Sequence, residues 1–174
     1  RRSTPRGGMV NRSAPARESG LPSFFSNSST AIGPFAAGTT FPWQVRCRIV
    51  KDDRYVLSAE VSALIADPEV DVVLTTGSTG LTGRDVAPET LEPLFDKAID
   101  GFGELFRAAS MPDIGAATIQ SRAFAGIANG TIIFCMPGSP GACRTAWEEV
   151  IRPQLDSRTR PCNLATLMPR FLEK

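Results

Sequence analysis

From Val45 onward, apolar residues recur at two distinct periods. Val45, Cys47 and Ile49 alternate with Arg46, Arg48 and Val50, the two-residue repeat of a strand near a sheet edge. Leu57, Val61, Leu64 and Ile65 then fall three and four positions apart, which predicts a helix running to about Ala66. Asp52 or Asp53 caps its start, and Asp67-Pro68 ends it. Val70 to Thr76 is a short β-branched run of the kind buried on both faces of a parallel sheet. A glycine-rich loop, Gly77 to Asp85, follows at once. Pro88 suits the first position of a second helix with a stripe of Leu91, Leu94, Phe95 and Ile99. Gly101-Phe102-Gly103 predicts a break before a short helix over Glu104 to Ala109. Asn129-Gly130 reads as a turn, and Thr131 to Met136 as another buried strand. Pro137 to Gly141 forms a second tight loop before a last long helix, Ala142 to Leu155, with Ala146, Trp147, Val150 and Ile151 inward. Strand, loop and helix repeat, so the expected class is an open α/β domain with a mostly parallel sheet.

Residues 1–44 obey neither period. They are rich in Arg, Ser, Pro and Gly, with Glu18 the only acidic residue. Pro5, Pro15, Pro22, Pro34 and Pro42 would interrupt any helix of more than a few turns. Most of this segment is expected to be irregular, with the folded domain at 45–174.

Composition narrows the chemistry. A net charge of +1 over 174 residues supplies no field for gripping nucleic acid or an anionic membrane. No apolar run approaches the roughly 20 residues that span a bilayer. Histidine is absent, which excludes Ser-His-Asp and Cys-His catalysis and any His-ligated metal. The four cysteines, Cys47, Cys135, Cys143 and Cys162, contain no C-x-x-C pair, so a zinc site is not expected. They read as reduced, mostly buried small apolar groups of a cytoplasmic protein. What is left is phosphate, carboxylate, arginine and hard-cation chemistry.

Two loops stand where such chemistry belongs. Gly77 to Asp85 and Pro137 to Gly141 each leave the end of a buried strand and lead to a helix, the place where open α/β sheets bind ligands. Glycines let backbone N–H groups approach phosphate oxygens, and helix N-termini add partial positive charge. The first loop also carries the Ser78, Thr79 and Thr82 hydroxyls, Arg84 for phosphate and Asp85 for a cation. It is neither a Walker A loop nor a G-x-G-x-x-G fingerprint. Spacing alone leaves open a plain connecting turn, with Asp52 or Asp53 as a helix cap and Asp85 and Glu89 merely favouring a helix N-terminus. It also leaves Ser121-Arg122 as a solvated turn, and Phe102, Phe106 and Trp147 as core.

The run TTGSTGLTGRDVAPE, Thr75 to Glu89, resembles the signature T-T-G-G-T-G followed by R-D-x-x-P-E of the MoaB/MogA family of molybdenum cofactor biosynthesis proteins. GFGELFR (Gly101 to Arg107), ATIQSRAFAGIAN (Ala117 to Asn129), Met136 to Leu155 and RTRPCN (Arg158 to Asn163) extend the likeness, the later stretches favouring the MoaB branch. The resemblance implies a MogA-like, three-layer αβα fold and adenylylation of molybdopterin with MgATP, the pterin phosphate displacing pyrophosphate. Carried over, Asp52 and Asp85 would hold Mg²⁺ and orient phosphates. Gly77, Ser78, Thr79, Gly80 and Arg84 would cradle phosphate, Glu89 would add a polar contact, and Pro137, Gly138 and Ser139 would help enclose the ligand. Ser78 stands in place of the second family glycine and is expected within reach of a bound phosphate. Relatives of this kind assemble as trimers or hexamers, so a homo-oligomer is expected. A non-catalytic pterin binder and an oligomeric scaffold are the alternative readings.

The likeness stops before Ile49. Residues 1–44 show none of the family's first strand, V-S-D turn and first long helix, and their Arg/Ser/Pro/Gly/Ala bias is what a GC-rich gene yields when read out of frame. The expectation is a shifted frame or mis-assigned start, with loss of stability and activity, the alternative being a natural divergent or disordered tail. Translating the other two frames upstream of Ile49 tests it.

Overall fold

A computed structural model of the chain describes the backbone of residues 30–35 and the whole of residues 47–173. Its elements in chain order are β1 (Thr30–Phe35), β2 (Arg48–Val50), α1 (Arg54–Ala66), β3 (Val72–Thr76), α2 (Ala87–Leu91), β4 (Lys97–Ala98), α3 (Asp100–Ile114), β5 (Phe124–Ala128), β6 (Thr131–Met136), α4 (Pro140–Thr145), α5 (Arg152–Leu155) and α6 (Leu164–Leu167). The six strands form one sheet in the order β2-β1-β3-β6-β5-β4.

The α/β class stands, but the sheet is mixed rather than mostly parallel. Among the described residues only β3 and β6 run parallel, Val72 beside Ile132 through Thr76 beside Met136. β5 and β6 are antiparallel because a two-residue Asn129-Gly130 turn joins them, both residues at positive φ (48° and 85°). The sequence pattern did not reveal β5, whose centre is Gly126. A Cβ there would land inside the Phe95 ring, so the strand carries a gap in its apolar pattern where the ring sits. β1 pairs antiparallel with both β2 and β3, so Thr30–Phe35 is an exception to the irregularity expected of residues 1–44. Val45 and Arg46 lie outside the described residues and Cys47 precedes the strand, while Arg48–Val50 of the predicted strand is β2, at the sheet edge as expected.

Two apolar layers flank the sheet. On one face Leu57, Val61 and Leu64 of α1 meet Ala87 and Leu91 of α2 over Val73, Ile133 and Cys135. On the other, Phe102 and Phe106 of α3 and Ala146, Val150 and Ile151 of the last helix cover Val72, Leu74, Ile132 and Phe134. Alternate residues of β3 and β6 thus serve opposite layers, which explains why both strands are buried throughout and read as unbroken apolar runs.

Three predicted helices differ in extent. α2 stops at Leu91 instead of running to Ile99, because Pro93 lacks an N–H and sits in a 3₁₀ turn, Glu92–Leu94. α3 passes through both glycines that were expected to break it. A Cβ on Gly103 would sit 2.5 Å from the Ala123 carbonyl oxygen, so that glycine brings the helix close to the sheet. The last helix is continuous from Pro140 to Leu155, with a π-helical stretch at Ala146–Ile151 just ahead of Pro153. No helix among the described residues is long and apolar enough to cross a membrane.

Candidate functional site

The parallel pair ends at Thr76 and Met136, and both tight loops leave from there, side by side. Gly77, at φ 99°, donates its N–H to the Met136 carbonyl at 2.9 Å. Gly138 lies against it; a Cβ there would stand 3.3 Å from Gly77 Cα. Beneath them the Pro137 carbonyl accepts from Thr76 Oγ1 at 3.1 Å and from Cys143 Sγ at 3.2 Å. Ser139 caps α4, its hydroxyl accepting from the Ala142 N–H at 3.3 Å. The second loop is thereby fixed at its base, while Gly138 and Ser139 stay exposed.

The first loop is closed by its own side chains. Ser78 takes the left-handed conformation, φ 57°, and is 8% exposed. Its hydroxyl donates to the Arg84 carbonyl at 3.3 Å and accepts from the Val86 N–H at 3.0 Å, clamping the two ends of the loop together. Asp85 folds back across Gly80, and its Oδ2 accepts from Thr82 N–H at 2.8 Å and Thr82 Oγ1 at 2.6 Å. The Thr82 hydroxyl, with backbone N–H groups and the nearby Arg122, holds the Asp85 carboxyl below its ordinary range despite some desolvation. A side chain on Gly80 would strike that carboxylate, at 2.6 Å from its Oδ2.

Arg122 organises the rest. Its backbone N–H donates to the Thr79 carbonyl at 3.3 Å, Nε to the Gly80 carbonyl at 2.7 Å and Nη2 to the Asp85 carbonyl at 2.8 Å. Nη1 pairs with the Glu89 carboxylate, which this bond holds below its ordinary range. The solvated turn expected at Ser121-Arg122 is therefore a set of loop contacts made by a single arginine. Nothing in the local sequence signals it: its side-chain partners lie 33 to 42 residues away and its backbone partner Thr79 further still.

Beside the loop lies an open groove of about 360 Å³, lined by Arg54, Thr82, Asp85, Glu89, Thr90 and Arg122 among others. Asp85 and Glu89 thus come together as expected, with Arg54, Thr90 and Arg122 added by the fold. Thr90 is 7% exposed and its hydroxyl has no partner among the described residues. Asp52 does not line this groove; it is exposed ahead of Asp53, which caps α1 by accepting from the Tyr55 and Val56 N–H groups at 3.0 Å. Arg84 is exposed at the loop's rim. Among the described residues no three carboxylates or thiols converge on a metal position.

The aromatic and sulfur assignments divide. Phe102 and Phe106 are core, as expected, and Trp147 packs half-buried against it. All four thiols are free, but only Cys135 and Cys143 are buried; Cys47 and Cys162 are exposed, because each lies outside the regular elements. Burial pushes the Cys135 thiol up to about 12 and raises that of Cys143.

Known proteins share this arrangement. Residues 41–157 match the family described as "Probable molybdopterin binding domain". Molybdenum cofactor biosynthesis protein B of Escherichia coli K12 is 64% identical over 115 residues, 66% of this chain and 68% of that protein. The Staphylococcus aureus Mu50 protein of the same name is 44% identical over 109 residues, covering 62% and 64%. Among solved structures, one titled "Crystal structure of Molybdenum cofactor biosynthesis protein B" superposes with a TM-score of 0.64 at 42% identity, over 71% of this chain and 73% of that one. Family match, sequence identity and superposed fold agree, and the chain belongs to the MoaB/MogA family of molybdenum cofactor biosynthesis proteins.

Proposed function

We propose that the chain binds molybdopterin in the crevice above β3 and β6 and adenylylates it with MgATP. The observation that carries this reading is a pair of abutting glycine loops at the carboxyl ends of the parallel strand pair β3 and β6, beside the Asp85 carboxyl. The pterin phosphate oxygen forms a bond to the ATP α-phosphorus, the α–β bridge breaks, and pyrophosphate leaves with the electron pair. Such a reaction requires two anions to be brought together, so positioning and charge neutralisation matter more than a general base.

The donor set suits Mg²⁺ arriving with the nucleotide. This ion takes one or two carboxylates and fills its remaining positions with water and phosphate oxygens, so a converging protein cage is not required. Asp85 is the groove carboxylate not paired with an arginine side chain, Glu89 being held by Arg122, and Asp52 would approach from the start of α1. When bound, the ion would neutralise charge on the phosphates. The chain's own part is the loop: Gly77 to Gly80, Arg84 and the exposed N–H groups bind phosphate, while Pro137, Gly138 and Ser139 close the far side. The same reading carries self-assembly into a trimer or hexamer, supported by exposed Met111 and Ile114 on α3 and Ile119 in the turn after it.

The test is direct. Purified chain, molybdopterin and MgATP are incubated, with pyrophosphate release and the mass of the pterin product as readouts. Equimolar pyrophosphate and adenylylated molybdopterin are expected. Pterin binding without either product overturns the transferase reading and leaves a binding protein.

A further inference from the structure

Arg122 is the cation of the groove whose guanidinium is tied to the loop at all three nitrogens. Nε and Nη2 reach the Gly80 and Asp85 carbonyls and Nη1 the Glu89 carboxylate, while the backbone N–H reaches Thr79, so three of its five guanidinium N–H groups are committed to the protein. The three carbonyls it binds all belong to the loop that leaves β3. Left uncapped, those carbonyls would offer acceptor oxygens to the groove and repel an anion. With them turned onto Arg122, the exposed stretch of the loop presents Leu81, Gly83 and Arg84 N–H groups that carry no backbone or side-chain acceptor among the described residues.

We propose that Arg122 is a positioning residue: by capping the Gly80 and Asp85 carbonyls with its guanidinium it sets the loop in its anion-receiving shape, and Glu89 holds the guanidinium for that task. This assigns Glu89 a role through Arg122 rather than a ligand contact. Fork geometry is essential to it. Nε and Nη2 address two carbonyls at fixed spacing and Nη1 the carboxylate, which an ammonium on a flexible stem cannot reproduce. Neighbouring elements hold the arginine's own backbone. Arg107 Nη1 donates to the Ser121 carbonyl at 3.4 Å, and β5 begins two residues later.

The inference rests on the phosphate-binding reading of the loop, so its test has one readout independent of that reading. Arg122→Lys and Glu89→Gln are compared with the parent chain by amide hydrogen exchange and by binding of MgATP and inorganic pyrophosphate. Amides of residues 78–87 should exchange at least about tenfold faster in Arg122→Lys, and about threefold faster in Glu89→Gln, with β3 and β6 amides unchanged. MgATP and pyrophosphate affinity should fall in the same order. In turnover, KM for ATP should rise more than kcat falls, and guanidinium ion at non-denaturing concentration should partly restore Arg122→Ala. Unchanged loop exchange in both variants overturns the proposal. Faster loop exchange with unchanged affinity overturns the anion-receiving part. Should the parent chain bind neither anion, the functional reading fails while the exchange data still decide whether Arg122 shapes the loop. If Arg122→Lys does not fold, Glu89→Gln alone decides the matter.

Discussion

Ser78 sets two effects against each other at one position, and replacing it measures both. Its left-handed backbone favours glycine over a residue with a Cβ by roughly 1 kcal/mol, once glycine's freedom in the unfolded chain is counted. Its hydroxyl makes two bonds that close the loop, to the Arg84 carbonyl and the Val86 N–H, each contributing on the order of 1 kcal/mol. Ser78→Ala loses both bonds and keeps the strain, so it should cost about 2 kcal/mol. Ser78→Gly loses both bonds but relieves the strain, leaving a cost of about 1 kcal/mol. For a domain of this size those values correspond to melting shifts of roughly 4–8 °C and 2–4 °C. Thermal melts by circular dichroism, backed by urea titrations with unchanged slope, read the order parent, glycine, alanine. The family signature alone suggests the opposite, that glycine belongs there and restores the fold. A glycine variant melting above the parent would refute the clamp. An alanine variant no less stable than the glycine variant would refute the strain.

Asp85→Asn keeps an acceptor for Thr82 but loses the charge, so it should melt within about 2–4 °C of the parent while turnover falls by at least about a hundredfold; retained turnover would make Asp85 only a loop staple. The folded Asp85 and Glu89 carboxyls hold protons less readily than the unfolded ones, near 4. Their contribution is therefore complete above about pH 4–5 and is lost as pH falls through the lowered folded values, visible as loop amides whose protection relative to the intrinsic exchange rate at each pH falls before that of the core. A native thiol titration should label Cys47 and Cys162 quickly and Cys135 and Cys143 only on unfolding; fast labelling of more than two thiols would contradict their burial. Sedimentation should give a single trimer or hexamer that Ile119→Asp weakens, and a monomer at all concentrations would sink the assembly reading.

The layers and the two loops were legible in the chain because their signals are local. Leu57, Val61 and Leu64 sit one helical face apart, and β3 and β6 are short apolar runs that end in glycine. Strand direction was not legible. It depends on which strands become neighbours, and β5 is masked by the small residues that Phe95 requires there. Gly103 misled for the same reason: its purpose is a carbonyl twenty residues further on. At the site, the family likeness marked Asp85 and Glu89 but not Arg122, since a pattern along the chain cannot show contacts closed across 33 to 42 residues. Asp52 and Asp53 were indistinguishable as caps until backbone direction chose Asp53.

The contact between Gly77 and Gly138 binds two distant stretches of the gene to a common fate. A methyl group on Gly138 would press on the backbone of Gly77, and Gly77 itself holds a φ of 99° that few other residues accept. Neither loop can drift in sequence without its neighbour giving way, so substitutions in the two should show strong epistasis. An engineer exchanging loops between relatives would have to move them as a matched set. A library that varies only one should return few folded clones.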